Sequence, residues 1–193
     1  MSKASQIVIL CEDRMHEVFV RRFLKRWGVA NLNRLVRTTP YPEGRQSGEQ
    51  HVRTRYPNEL KALRSRHAST ILIVVMDADA QTAQDRRREL DRSADNEGLG
   101  PRGDTEPVVF VIPKWSIENW LAWLDGNAVD EGDKERNRAA KTRYSYRHES
   151  DAHPLIDRLA EDCKANRTLP NPPGSLADAC HEFERIRNVL SGS

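Results

Sequence analysis

Two segments of the chain are unbroken runs of apolar residues that end on acids: residues 7–13 read IVILCED and residues 71–80 read ILIVVMDADA. A strand with one wet face alternates apolar and polar side chains, whereas a strand covered on both faces, as in a parallel sheet between helices, reads as a continuous Val/Ile/Leu run. Gln6–Cys11 and Thr70–Met76 are therefore expected as buried parallel strands, with VVFVIPK, ended by Pro113, as another. A further strand is expected around Arg34–Thr38, stopped by Pro40. After the first run, Met15, Val18, Phe19, Phe23, Leu24 and Trp27 fall at helical spacing, and Gly28 stands where a C-terminal cap belongs. A second helix is expected over Gln50–Arg66, with Pro57 near its middle as an objection. QTAQDRRRELDRSA reads as a charged, exposed helix, and SIENWLAWL as a helix with Ser116 at its N-cap. Strands alternating with helices call for parallel pairing through right-handed crossovers, so the expected class is α/β.

From Asp125 the pattern changes. DGNAVDEGDKERNRAAKTRYSYRHESDAHP is polar with few large apolar groups and is expected to be irregular. HPLIDRLAEDCKAN and SLADACHEFERIRNVL then read as two amphipathic helices around the turn LPNPPGS, folded back onto the sheet. The organisation this suggests is an α/β domain over residues 5–125, followed by a polar linker and helical extension over 126–193.

Composition narrows the class. A chain of 193 residues, 37% apolar and 31% charged, is long enough for one domain with a modest core and a heavily charged surface. The longest apolar run falls far short of a membrane span, and the N-terminal apolar stretch runs straight into acids, so a cytoplasmic protein without membrane contact is expected. Cys11, Cys163 and Cys180 show no CxxC or Cys/His spacing and are expected as reduced thiols. The net charge of +2 predicts no partner, but its distribution is uneven. Twelve Lys/Arg stand against three acids between Arg21 and Arg66, and seven against fifteen between His67 and Glu135. Cationic contacts around an acidic centre are what a protein that grips a polyanion beside a metal requires; solvated helix faces are the plainer reading.

In open α/β sheets the ligand crevice lies beyond the carboxyl ends of the strands. Glu12, Asp77 and Asp79 follow two such ends, and hard oxygen ligands of this kind suit Mg²⁺ or Mn²⁺. A Glu after the first strand and a DxD after a later one resembles the Toprim fold shared by topoisomerases, primases, small ribonucleases and the nuclease part of the overcoming-lysogenization-defect proteins. The resemblance spans roughly residues 5–125 and implies a Rossmann-like, mostly parallel sheet. It implies Glu12 as general acid/base or metal ligand and Asp77 and Asp79 as metal ligands. Asp13 stands where such proteins often have Gly, as a further ligand or a helix-starting acid. Two more catalytic candidates follow the VVFVIP strand: Lys114, placed to neutralise a pentavalent phosphate, and Glu118, in the first turn of its helix. His16, one turn after Glu12, stands within reach of the site, although a lone helical His is more often a surface residue.

Two stretches are candidates for nucleic-acid contact. GRQSGEQHVRTRY offers Arg45, Arg53 and Arg55 beside two glycines, and RNRAAKTRYSYRHE interleaves Arg136, Arg138, Lys141, Arg143 and Arg147 with Tyr144 and Tyr146. The resemblance implies a Mg²⁺- or Mn²⁺-dependent nuclease, with DNA favoured over RNA, of the kind found in bacterial anti-phage defence and controlled by a partner ATPase. A homo-oligomer stays open. Two other readings compete: a non-catalytic regulatory subunit on the same scaffold, and a receiver-like phospho-signalling domain built on Glu12, Asp13, Asp77 and Lys114. The receiver needs a Ser/Thr-ended strand between Asp77 and Lys114, and residues 80–107 offer a charged helix and a Gly/Pro loop.

Overall fold

Helices cover both faces of a parallel sheet in the computed structural model, which describes residues 4–39, 47–66, 69–144 and 149–191. The strands are β1 (Gln6–Cys11), β2 (Val36–Thr38), β3 (Thr70–Val75) and β4 (Val108–Val111), in the order β2-β1-β3-β4 and parallel throughout. Between and after them come α1 (Arg14–Trp27), α2 (Leu32–Leu35), α3 (Gly48–Ser65), α4 (Ala83–Asn96), α5 (Ile117–Leu124), α6 (Lys134–Tyr144), α7 (His153–Lys164), α8 (Gly174–Arg185) and α9 (Arg187–Ser191). The expected α/β class and parallel sheet are present. Residues 80–107 contribute α4 and a loop but no strand, so β4 follows β3 as its direct neighbour.

The apolar runs are continuous because each strand is buried on both sides. Ile7, Ile9 and Cys11 of β1, with Ile71, Ile73 and Val75 of β3, face a core built by α1, α5, α7 and α8. Val8, Leu10, Leu72 and Val74 face the other way, onto Val52, Tyr56 and Leu60 of α3 and Leu90 and Ala94 of α4. Phe23 of α1 meets Phe183 of α8 at 4.4 Å between ring centroids, and Phe19 meets Trp120 of α5 at 5.7 Å. The C-terminal helices therefore share the core of one sheet face.

Several expectations need correction. Pro57 does not break α3, which runs through it. The carbonyl left without a helical partner is that of Arg53, an exposed residue where water can serve it, while Val52, Tyr56, Leu60 and Leu63 bury the helix on the sheet. The stretch after Asp125, expected to be irregular, contains α6. α4, expected as a charged, exposed helix, buries Arg86, Leu90 and Ala94 along one row. Cys163 and Cys180, expected as free thiols, form a disulfide, because the packing of α7 against α8 brings their Cα atoms to 5.5 Å. Cys11 is free and buried.

The edge strand β4 is closed by side chains. Glu182 of α8 accepts the Phe110 N–H at 3.2 Å, while Arg102 donates to the Val108 carbonyl at 2.8 Å and Arg185 donates to the same oxygen. Backbone groups that would otherwise template another strand are thereby satisfied.

Candidate functional site

The chain leaves β1 through α1 to β2 on one side, then returns through α3 to β3 on the other side of β1. The strand order therefore reverses between β1 and β3, and the helices leaving these two strands lie on opposite sheet faces. A crevice opens at such a switch point, beyond the carboxyl ends of the strands, and it is the usual ligand position in open α/β sheets. Glu12 directly follows β1, and Asp77 stands two residues beyond β3.

These two acids meet. The Asp77 N–H donates to Glu12 Oε1 at 3.0 Å. Asp77 is buried, with Oδ1 3.0 Å from His16 Nε2 and Oδ2 3.9 Å from the Lys141 ammonium. His16, within reach of the site by its spacing, is 2% exposed rather than at the surface. Asp13 caps α1 by accepting the His16 N–H at 3.0 Å, which starts the helix immediately after β1 and turns His16 inward one turn later. Asp13 is thus the helix-starting acid. At Gly48, the first residue of α3, an added Cβ would stand 2.7 Å from the Glu12 Cβ and 2.9 Å from its carbonyl oxygen. Only a residue without a side chain lets α3 begin this close to Glu12.

The electrostatics of the pair are uneven. Burial and the Asp77 charge push the Glu12 carboxyl up to about 7, against the opposing pull of His16 and the Asp77 N–H. Burial disfavours a charged His16, but the charge and hydrogen bond of Asp77, with Asp13 and Glu12 behind it, outweigh this and raise the imidazole to about 9. His16 is therefore protonated at neutral pH, and its Nε2–H donates to Asp77. Its Nδ1 is buried without a hydrogen-bond partner among the described residues.

Asp79 lies in the following loop with a left-handed backbone, φ 53°, and a side chain 59% exposed. Its carboxylate faces Arg86 at 3.6 Å. Arg86 is 6% exposed and reaches Glu49 of α3 at 3.0 Å and Glu89 at 2.9 Å, tying the Asp79 loop to the start of α3. Lys114 Nζ donates to the backbone carbonyls of Asp79, at 2.9 Å, and Gln81. It also sits 4.7 Å from the Trp115 ring centroid. The unusual Asp79 conformation is therefore held from below by a cation bonded to backbone rather than to carboxylate.

The other candidates are more dispersed. Glu118 is partly buried in the first turn of α5 and makes no side-chain hydrogen bond or ion pair among the described residues. Ser116 donates to the Asn119 side chain at 2.9 Å rather than capping the helix backbone. Arg53 is exposed, pairs with Glu49 at 3.1 Å and lines a groove of about 580 Å³ between α3 and α4 with Glu89 and Arg92. Arg55 is exposed on α3, and Arg143 is exposed on α6, 5.7 Å from the Tyr144 ring centroid. Arg45, Tyr146 and Arg147 lie outside the described residues.

Glu12, Asp77 and Asp79 suit a divalent cation in kind, being hard oxygen donors, with the Glu12 carboxyl raised by burial and by the Asp77 charge. In the arrangement described, Asp77 is turned to His16 and Asp79 to Arg86, and no three His, Cys, Asp or Glu side chains among the described residues are grouped to hold an ion. Fold and site together define an open α/β protein in which two acids, Glu12 and Asp77, meet at the switch point. No protein-family model, curated protein or solved structure matches the chain. Among the described residues no helix is long and apolar enough to cross a membrane.

Proposed function

We propose that this chain is a metal-dependent, Toprim-like phosphodiesterase acting on nucleic acid. The observation that carries the reading is the contact of Glu12 with Asp77 at the β1/β3 switch point, where burial and like charge hold the Glu12 carboxyl at about 7. An acid in that range exchanges protons near neutral pH, which is what a general acid/base requires. Asp77 and Asp79 would hold Mg²⁺ or Mn²⁺, with Glu12 beside them as the proton-exchanging acid or, in its ionised form, as a further ligand; the metal when bound supplies Lewis-acid polarisation of a phosphodiester and acidifies water.

The chain's own residues have separate roles in this reading. His16 orients Asp77 from beneath. Lys114 is a positioning residue that fixes the Asp79–Gln81 backbone, and Arg86 sets the direction of the Asp79 carboxylate. Arg53, Arg55 and Arg143 are exposed cations available to phosphates, with single- or double-stranded DNA as the first substrate to test. Glu118 has no assigned part.

The test is cleavage of labelled DNA and RNA with Mg²⁺ or Mn²⁺ by the wild type, Glu12→Ala and a double Asp77→Ala/Asp79→Ala variant. Metal-dependent cleavage by the wild type, absent from both variants, is the expected result. Absence of cleavage with every substrate and metal, or equal cleavage by all three proteins, would overturn the reading.

A further inference from the structure

α6 has no apolar face to pack with. Its sequence, KERNRAAKTRY, carries five Lys/Arg, one acid and a single large apolar side chain, Tyr144. What holds it is polar. Asn119 of α5 donates to the Asn137 side-chain oxygen at 2.8 Å, Asn137 donates back to the Asp130 carbonyl at 2.7 Å, and the Tyr144 hydroxyl donates to Asp125 at 2.7 Å. Asn137, Lys141 and Tyr144 stand at helical positions i, i+4 and i+7 and so share one face. Both ends of that row are buried, and its middle is a lysine whose ammonium lies 3.9 Å from Asp77 Oδ2. The flanks of the helix carry exposed Arg136, Arg138 and Arg143.

A helix with so little apolar contact adds little to stability, and an exposed lysine between the two buried ends of that row adds less than a packed aliphatic residue would. The placement makes sense as charge delivery. We propose that α6 is a cationic strap that keeps Lys141 beside Asp77 Oδ2 while no polyanion is bound, and that a nucleic-acid strand engaging the exposed arginines draws Lys141 off and opens Oδ2 to a divalent cation, Oδ1 staying on His16. This inference rests on the metal-binding reading of Glu12, Asp77 and Asp79. An ammonium and a divalent cation on one carboxylate repel each other, so Lys141 and the metal compete. Strand and metal binding must then favour each other reciprocally, because coupling between two sites is symmetric in free energy.

Mn²⁺ binding to the full chain, followed by calorimetry or electron paramagnetic resonance, tests this without reference to turnover. The proteins are wild type, Lys141→Met, Lys141→Arg and Asp77→Asn, and the polyanion probe is a single-stranded oligothymidylate. The Lys141 side chain is 55% exposed, so its replacement leaves the core intact, and an unchanged thermal midpoint verifies this. Lys141→Met is expected to bind Mn²⁺ about tenfold more tightly than wild type, with Lys141→Arg close to wild type and Asp77→Asn much weaker. The oligothymidylate should tighten Mn²⁺ binding to wild type and leave Lys141→Met unchanged. Equal Mn²⁺ affinity of Lys141→Met and wild type, with Asp77→Asn still impaired, overturns the strap and leaves the metal site standing. Failure of wild type and Lys141→Met alike to bind Mn²⁺ overturns the metal-site reading and the strap with it.

Discussion

Two glutamates in this molecule each accept a backbone N–H from the sheet, and their electrostatic fates are opposite. Glu182 takes the Phe110 N–H of the edge strand and is surrounded by guanidinium groups: Arg102 is bonded to it, Arg185 lies at 3.4 Å and Arg87 at 3.7 Å. Burial raises its carboxyl, but these bonds and charges outweigh burial and hold it below the usual carboxylate range. Glu12 takes the N–H of Asp77, two residues beyond the end of β3, and there burial and the Asp77 charge, against the pull of His16, push its carboxyl up to about 7. The same side chain with the same kind of backbone partner serves to close an edge in one place. In the other it is buried beside a like charge that one imidazole does not offset, an arrangement that costs stability and is useful to a group that must bind a cation or exchange a proton.

Neutralising each glutamate separates the two roles. Glu12→Gln should lower metal-dependent cleavage by a factor on the order of 10²–10³, the usual effect of losing one preorganised electrostatic group, while the urea midpoint stays level or rises. Glu182→Ala should do the reverse. It leaves the buried Arg102 guanidinium without its carboxylate and should cost about 3 kcal/mol in urea unfolding, with cleavage per folded molecule unchanged. A large stability loss from Glu12→Gln would break the comparison.

The smallest effect is in the pH dependence of stability. Glu12 has a folded-state value above its ordinary 4.5, so its contribution is complete below that pH and is lost as pH rises through about 7. His16, raised from 6.5 to about 9, contributes fully below 6.5 and loses its contribution as pH rises through about 9. Glu182, lowered, contributes fully above 4.5 and is lost as pH falls below it. Thermal midpoints between pH 4 and 9 should therefore fall on the alkaline side in wild type. Glu12→Gln should flatten the portion between 4.5 and 7, and Glu182→Gln the acid limb.

The framework was legible in the sequence because strands buried on both faces leave an uninterrupted apolar signature, and acids at their ends mark the crevice. The pairing of Glu12 with Asp77 is legible because neighbouring strand ends converge. The burial of His16 was not legible because its inward direction depends on where α1 starts, and that is decided by the Asp13 cap, two residues after β1. Arg86 was hidden in a helix whose polar composition masks the buried row Arg86, Leu90 and Ala94. α6 left no apolar period to read, since Asn137 and Tyr144 anchor it by hydrogen bonds. The Cys163–Cys180 bond depends on the docking of α7 on α8, a tertiary event that cysteine spacing does not encode.

The central claim is that burial and the Asp77 charge outweigh His16 at Glu12, whereas guanidinium groups outweigh burial at Glu182. Side-chain carboxyl ¹³C shifts of both glutamates, followed from pH 3 to 9 in metal-free protein and assigned through Glu12→Gln and Glu182→Gln, measure this directly. The account predicts a Glu12 midpoint near 7 and a Glu182 midpoint below 4.5. Two midpoints together in the ordinary carboxylate range would contradict it.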